Sequence, residues 1–369
     1  MREKKQEREL ERIRQRILAG GFGAPGDRFM TTRELGGFCG VSLVTAQHIM
    51  ARLKADELIV LHGKHYFLSY GRLEKNTPLS KRREKSGLIG LHIVNLDNPY
   101  FSSLARAVET AAHQNGYEVI IASSGYSFTE ERNALRLFER LGVDGVISSP
   151  SRGQMAKELY SRYRLPFVFL SGAVDGVDAD RVLINNYAGG KSVAEHFVEN
   201  GYRSFMYIAP ETMKNRRDVR LEGFADGLQQ HGFRLNPDDV VYAGSNGRSL
   251  PRYVGRMLAS CEKPVGIFCY HDLLAAEAVR LCRQNGFAVP QDVGISGYDN
   301  IRLMGDVVPA LTSVDYRINR LASIAVELAI RRINGGTGAS ERHLVDTVLI
   351  VRESSSRGGV SDRKGAEET

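Results

Sequence analysis

The chain has 369 residues, 42% hydrophobic and 25% charged, which is room for two or three domains of ordinary globular composition. That excludes a collagen-like, mucin-like or wholly disordered chain, and no apolar run approaches the roughly 18 residues of a membrane span. The net charge of +7 sits at one end: residues 1–87 carry 18 Lys/Arg against 10 Asp/Glu, and the remaining 282 carry 32 against 33. Such asymmetry fits a small module that meets a polyanion, joined to a near-neutral module with another task. On charge alone, a solvated helix near the N-terminus fits as well. The opening MREKKQERELERIRQR lacks the apolar stretch of a secretory signal. Cys39, Cys261, Cys269 and Cys282 form no CxxC pair, which predicts buried thiols in a reducing cytoplasm, with neither a disulfide frame nor a metal site.

Residues 3–19 have a helical pattern, with Leu10, Ile13, Ile17 and Leu18 spaced by threes and fours among charges. GGFGAPGD then breaks the chain. Thr31 and Glu34 fit a capping box for a second, short helix with Leu35 and Phe38, which Gly40 ends. Ser42 is the expected N-cap of a third helix whose apolar stripe is Val44, Ile49, Met50 and Leu53. LIVLHGKHYFL reads as two short strands about His62-Gly63-Lys64. Helix, short helix, turn, helix and hairpin is the order of a winged helix-turn-helix, predicted over residues 1–70; a protein-interaction module shares that order, and the basic excess favours DNA. Residues 71–87 are polar, contain Pro78 and Lys81-Arg82-Arg83, and read as a linker with spare phosphate affinity or a merely solvating one.

From residue 88 onward strands and helices alternate. LIGLHIV, EVIIAS, DGVISS, PFVFLS, FMYIA, VGIFCY and VGISGY are strand-like and helical stretches separate them, which predicts parallel sheets wound on both faces by helices. The pattern restarts after residue 185, so residues 88–353 are expected to form two α/β lobes with a ligand cleft between them. The first lobe should take about 88–184 and 315–336, and the second about 187–312 and 344–353. The tail 354–369 is polar and expected to be disordered.

Two stretches carry family resemblances. ILAGGFGAPGDRFMTTRELGGFCGVSLVTAQHIMARLKADELIVLHGKHYFL resembles the DNA-binding domain of GntR-type regulators, through Pro25-Gly26-Asp27, Thr31-x-Arg33-Glu34-Leu35, Gly40-Val41-Ser42, Thr45 and Gly63. The resemblance implies that Thr31 and Arg33 hold phosphate, that Ser42, Leu43, Thr45 and Gln47 face the major groove, and that His62, Gly63 and Lys64 form the wing. Positions 43 and 47, usually Arg in that family, are Leu and Gln here; Gln47 suits adenine and Leu43 a thymine methyl. Arg33 has a competing role in a surface ion pair with Glu34 or Asp56.

In the second module Asp97-Asn98-Pro99-Tyr100-Phe101, Val143-Asp144-Gly145-Val146, Arg220-Leu221-Glu222-Gly223-Phe224, His271-Asp272, Gly297-Tyr298-Asp299-Asn300 and Leu311-Thr312-Ser313-Val314 follow the order of the LacI-type effector domain, which is similar to periplasmic sugar-binding proteins. The combination of heads and body resembles the arabinose repressor group of bacterial regulators. It implies effector contacts from Tyr100, Phe101, Ser148, Ser171, Arg220, His271, Asp299 and, at a crossover, Tyr316. Asp272 is read as capping the helix that follows, Asp144 and Gly145 as a turn, and Tyr100 as an effector contact or as lobe core.

The expected protein is therefore a cytoplasmic repressor of carbohydrate genes: a homodimer on a double-stranded DNA operator of two half-sites, released by a sugar, with no cofactor and no membrane partner. A sugar-binding transport protein is one rival; the charged N-terminus argues against it. An α/β enzyme with a regulatory head is the other, but no P-loop, HExxH, GxSxG or GxGxxG motif is present.

Overall fold

The computed structural model describes residues 2–18, 20–23, 27–56, 58–62, 65–69, 85–151, 154–244, 262–302 and 308–358. The wing-tip residues Gly63 and Lys64, the His62 side chain, linker residues 70–84, Cys261 and the last eleven residues of the expected tail lie outside them. The chain forms two compact units, Met1–Glu84 and Lys85–Thr369.

In the first unit, helix α1 (Arg2–Leu18) buries Leu10, Ile13 and Ile17. Helix α2 (Thr32–Cys39) opens on the capping box: the Thr31 amide donates to Glu34 Oε2 at 2.7 Å, and the Glu34 amide donates to Thr31 Oγ1 at 3.3 Å. It closes at Gly40, whose φ of 61° is the left-handed turn that only glycine adopts without strain. Helix α3 (Leu43–Ala55) starts at Ser42, which accepts from the Thr45 amide. Strands β1 (Ile59–His62) and β2 (His65–Leu68) pair antiparallel, with Ile59 opposite Leu68 and His62 opposite His65. One core holds the unit together, joining Ile13, Leu35, Ile49, Leu53 and Leu68. Arg14 pairs with Asp56 and so ties α1 to the end of α3.

The stripe of α3 differs from expectation. Ala46, Ile49, Met50 and Leu53 face inward, whereas Val44 is 63% exposed. Inward positions follow the i, i+3, i+4, i+7 rule from Ala46, and Val44 falls on the opposite side of the helix.

In the second unit, the first sheet runs in the order β13-β7-β6-β5-β3-β4: Arg342–Val345, Asp180–Ile184, Phe167–Leu170, Gly145–Ser148, Leu88–Ile93 and Glu118–Ser123. All its pairings are parallel. The second runs β14-β12-β11-β10-β8-β9: Val348–Ile350, Thr312–Asp315, Val293–Tyr298, Val265–Cys269, Ser204–Pro210 and Val240–Ala243. Only β14 is antiparallel there. Each lobe places its first strand inside the sheet, so a topological switch beside β3 and β8 leaves a crevice at the strands' carboxyl ends. The central strands β3, β5, β6, β8, β10 and β11 are almost wholly buried because helices cover both faces, whereas the edge strands β4 and β13 are partly exposed.

Helices α4 (Pro99–His113) and α10 (Ile318–Ile333) cover one face of the first sheet, and α5 (Phe128–Leu141) and α6 (Gln154–Tyr160) the other. Helices α7 (Asn186–Glu199) and α8 (Val219–Gln230) cover one face of the second sheet, and α9 (Asp272–Gln284) the other. A Cβ on Gly190 would collide with the backbone of Arg220, and one on Gly223 with the backbone of Tyr187. Glycine at both points lets α7 and α8 pack backbone to backbone. The chain passes between lobes three times, at residues 185, 316–317 and 346–347.

Three boundaries shift from those expected. β13 pairs with β7, so the first lobe reaches residue 345 rather than 336. The last linker residues are fastened to the body, since the amides of Ser86 and Gly87 donate to Asp144 at 3.0 and 2.8 Å. Ser354 and Ser355 are buried, not disordered: Ser354 Oγ donates to the Ile295 carbonyl at 2.6 Å and accepts from the Thr312 amide at 2.8 Å. The Ser354 hydroxyl thus completes the backbone bonding of β11 and β12, and Ser355 Oγ lies 2.6 Å from Thr312 Oγ1 and 2.7 Å from His196 Nε2, contacts that polarity alone does not reveal.

Candidate functional site

The strand ends between the lobes gather most of the predicted effector residues. Arg220 stands in the first turn of α8, which Asp218 caps by accepting from the Arg220 amide at 3.0 Å. Tyr207 Oη donates to the other Asp218 oxygen at 2.7 Å. The Arg220 guanidinium is wedged between the rings of Tyr270 and Tyr298, 4.2 and 4.0 Å from their centroids, a cation–π sandwich. It donates to the Tyr270 carbonyl, to Asn186 Oδ1 at 3.3 Å and to Tyr316 Oη at 2.6 Å. Tyr316 in turn donates to Asp299 Oδ1 at 2.6 Å. The phenol is thus a relay between cation and carboxylate.

Asp299 is 5% exposed, and its second oxygen, Oδ2, makes no hydrogen bond. Burial raises its pKa to about 6 against the opposing pull of Arg220 and of the hydrogen bond from Tyr316. Its φ of 109° is unusual for a side-chain-bearing residue. Tyr126, Ser171, Asn300 and Arg317 also have positive φ just after a strand, so backbone strain concentrates at the cleft edge.

From the first lobe, Tyr100 presses its ring against Tyr316 at 4.6 Å and against Phe101 at 4.9 Å. Its hydroxyl lies 3.3 Å from Ser171 Oγ. Tyr100 serves as lobe core and cleft wall at once. His271 caps α9, accepting from the Leu274 amide on Nδ1 at 3.2 Å. Burial, helped by the Arg220 charge, lowers its pKa to about 4, so the ring is neutral.

Two expectations require correction. Asp272 does not cap α9, because His271 does. It is buried and accepts from Ser313 Oγ at 2.6 Å and from the Ile301 amide at 2.8 Å, pinning the loop that carries Asp299. Burial lifts its pKa to about 7. Ser148 does not meet the cleft residues. The strand alternation turns it to the α5–α6 face, where it contacts His92 Nδ1 at 2.9 Å and Tyr160 Oη at 2.6 Å; Tyr160 donates to the buried Glu131 at 2.7 Å.

Sequence reading missed Tyr270 and Tyr298 as the jaws on Arg220, and Asn186 as its third partner. The signal was present: both tyrosines end an apolar strand, in VGIFCY and VGISGY, where the last side chain reaches the cleft. Tyr126, 70% exposed in the turn that follows β4, was missed too.

On the head, Arg33 is exposed and makes no ion pair among the described residues, since Asp56 is taken by Arg14. Thr31 is engaged in its capping box, and Ser42 Oγ lies 3.0 Å from Thr45 Oγ1. Leu43 and Gln47 are exposed. Cys39, Cys269 and Cys282 are free and buried. Among the described residues no helix is long and apolar enough to cross a membrane, and no cluster could hold a metal ion.

These two lobes and their cleft are those of a periplasmic-binding-protein-like ligand-binding domain, and the family model of that description matches residues 194–355. The repressor PurR of Pasteurella multocida is 26% identical over 332 residues, covering 88% of this chain and 98% of that one. PurR of Aliivibrio salmonicida is 28% identical over 247 residues, 66% and 74% of the two chains. A putative LacI-family regulator from Sanguibacter keddieii superposes with a TM-score of 0.64 at 28% identity, over 73% of this chain and 98% of that one. A periplasmic binding protein/LacI regulator from Alkaliphilus metalliredigens, solved with D-xylulofuranose, gives 0.62 at 26% identity over 73% and 99%. In sequence and in fold the chain is thus similar to LacI-type transcriptional regulators.

Proposed function

We propose that this regulator represses carbohydrate-metabolism genes by binding an operator through its winged head, and leaves DNA when a sugar enters the cleft between its lobes. The observation that carries the reading is the Arg220–Tyr316–Asp299 relay, with one buried carboxylate oxygen lacking a donor. A polyol supplies donors and acceptors in adjacent pairs, and a closed cleft penalises any left unmatched. Tyr100, Phe101, Ser171 and His271 contribute the remaining first-contact surface, and the D-xylulofuranose bound by the Alkaliphilus relative supports the ligand class. A planar heterocycle is a second reading, favoured by the tyrosine rings around Arg220.

The protein acts in the cytoplasm as a homodimer, two heads reading two half-sites about a two-fold axis. Thr31 and Arg33 hold phosphate, Ser42, Leu43, Thr45 and Gln47 face the bases, and the wing of His62, Gly63 and Lys64 meets the minor groove or a phosphate. A thermal-shift screen across pentoses, hexoses, uronates, their phosphates and nucleobases tests the cleft. A sugar that raises the melting temperature and releases operator DNA supports the reading. A response to nucleobases alone replaces it with the second one.

A further inference from the structure

Helix α3 presents an uncharged and partly apolar tip. Leu43 and Val44, its first two residues, are 50% and 63% exposed. Residues 41–51 contain no Lys, Arg, Asp or Glu. The hydroxyls of Ser42 and Thr45 face each other at 3.0 Å, and Ser42 also caps the helix. That leaves Leu43, Val44, Gln47 and His48 as the outward side chains of the first two turns. Beside Leu43 lies a groove of about 370 Å³, floored by Gly36, Gly37 and Gly40 and walled by Arg33 and Val41. A Cβ at Gly37 or Gly40 would touch nothing, so the floor is bare backbone open to an approaching surface.

Two branched apolar side chains held in water at a helix tip gain free energy only against another apolar group. In the major groove of DNA the one apolar group on a base edge is the thymine C5-methyl. Guanine readout, by contrast, calls for Arg or Lys on O6 and N7, and this tip has neither. The amide of Gln47, one turn along, matches N6 and N7 of adenine. The basic excess of the first 87 residues makes a duplex, and not another neutral protein, the partner this tip meets.

We propose that Leu43 and Val44 together form an apolar reader of thymine methyl groups, so that the half-site core is composed of A·T pairs. The inference rests on the head's being the DNA-binding module. The full-length chain is used to select binding sequences from a pool of randomised short duplexes. The selected duplex is then remade with deoxyuridine for thymidine, which keeps pairing and the O4 acceptor and removes only the methyl.

The expected result is a selected core containing thymine, with wild-type affinity falling about four-fold for each contacted methyl replaced, the worth of one buried methyl group. A Leu43→Ala/Val44→Ala variant should bind the two duplexes equally. Both side chains are exposed, so circular dichroism should show the fold intact. Equal wild-type binding to both duplexes overturns the proposal and leaves the regulator reading standing. So does a variant that keeps full discrimination, or one that changes only the oligomeric state. Failure to select any sequence overturns both.

Discussion

Asp299 illustrates how far a single residue's surroundings decide its chemistry. Its carboxylate is charged near neutrality, yet burial holds its pKa at about 6, so its negative charge is lost and one oxygen turns from acceptor to donor as pH falls through that value. Effector affinity should therefore weaken between pH 7 and 5, as titration calorimetry at several pH values would record. Asp299→Asn should cost about 1.5–3 kcal/mol of effector binding, roughly ten- to a hundred-fold, with operator affinity unchanged. Elsewhere two buried groups titrate in opposition. Burial lowers the pKa of His196 to about 4 from 6.5, so its contribution is complete above pH 6.5 and fades as pH drops toward 4. Burial raises that of Asp272 to about 7 from 3.8, so its contribution is complete below pH 3.8 and fades as pH climbs toward 7. Between pH 4 and 6.5 the two slopes oppose. His196→Gln should remove one of them, leaving a thermal stability that declines more steeply with rising pH than the wild type's. Melting curves at pH 5 and 7 decide this.

Single elements were legible where local chemistry determines them. The Thr31–Glu34 box, the Gly40 stop and the strand-forming apolar runs all stand where the sequence places them. What stayed hidden was which way a side chain faces when two faces are equally plausible. Val44 is apolar yet outward, and Ser148 ends a strand yet turns away from the cleft, because each depends on partners far along the chain. Arg220 was identified from its motif, but Tyr270 and Tyr298 become its jaws only once two strands lie parallel. The α7–α8 contact makes a sharper test at this scale. Gly190→Ala inserts a methyl against the Arg220 backbone, an overpacking of about 1–3 kcal/mol. It should lower the melting temperature and weaken effector binding together, because Arg220 begins the displaced helix. An unchanged response would separate the glycine from the site.

At the level of the whole molecule, the division of charge between the two units was visible from composition, as was the restart of the α/β pattern near residue 185. The second half of that plan was not, because pairing of β13 with β7 joins residues about 160 positions apart, and no local pattern specifies so distant a neighbour. Arg33→Ala tests the plan's electrostatic part. It should weaken operator binding across sequences and reduce the slope of log affinity against log salt by about one. Fluorescence anisotropy over a salt series gives both quantities, and a slope equal to the wild type's would remove Arg33 from the phosphate contacts.

The three passages between lobes set an order of assembly. The first sheet lacks β13, and one of its faces lacks α10, until residues beyond 315 exist, although five of its strands are complete by residue 184. A ribosome making this chain therefore releases a finished head early, then holds an unclosed first lobe through the synthesis of nearly all of the second. Both lobes mature almost at the last moment, within a few tens of residues of each other. A premature stop between residues 185 and 315 leaves a translation product with a complete first unit and neither lobe of the second closed.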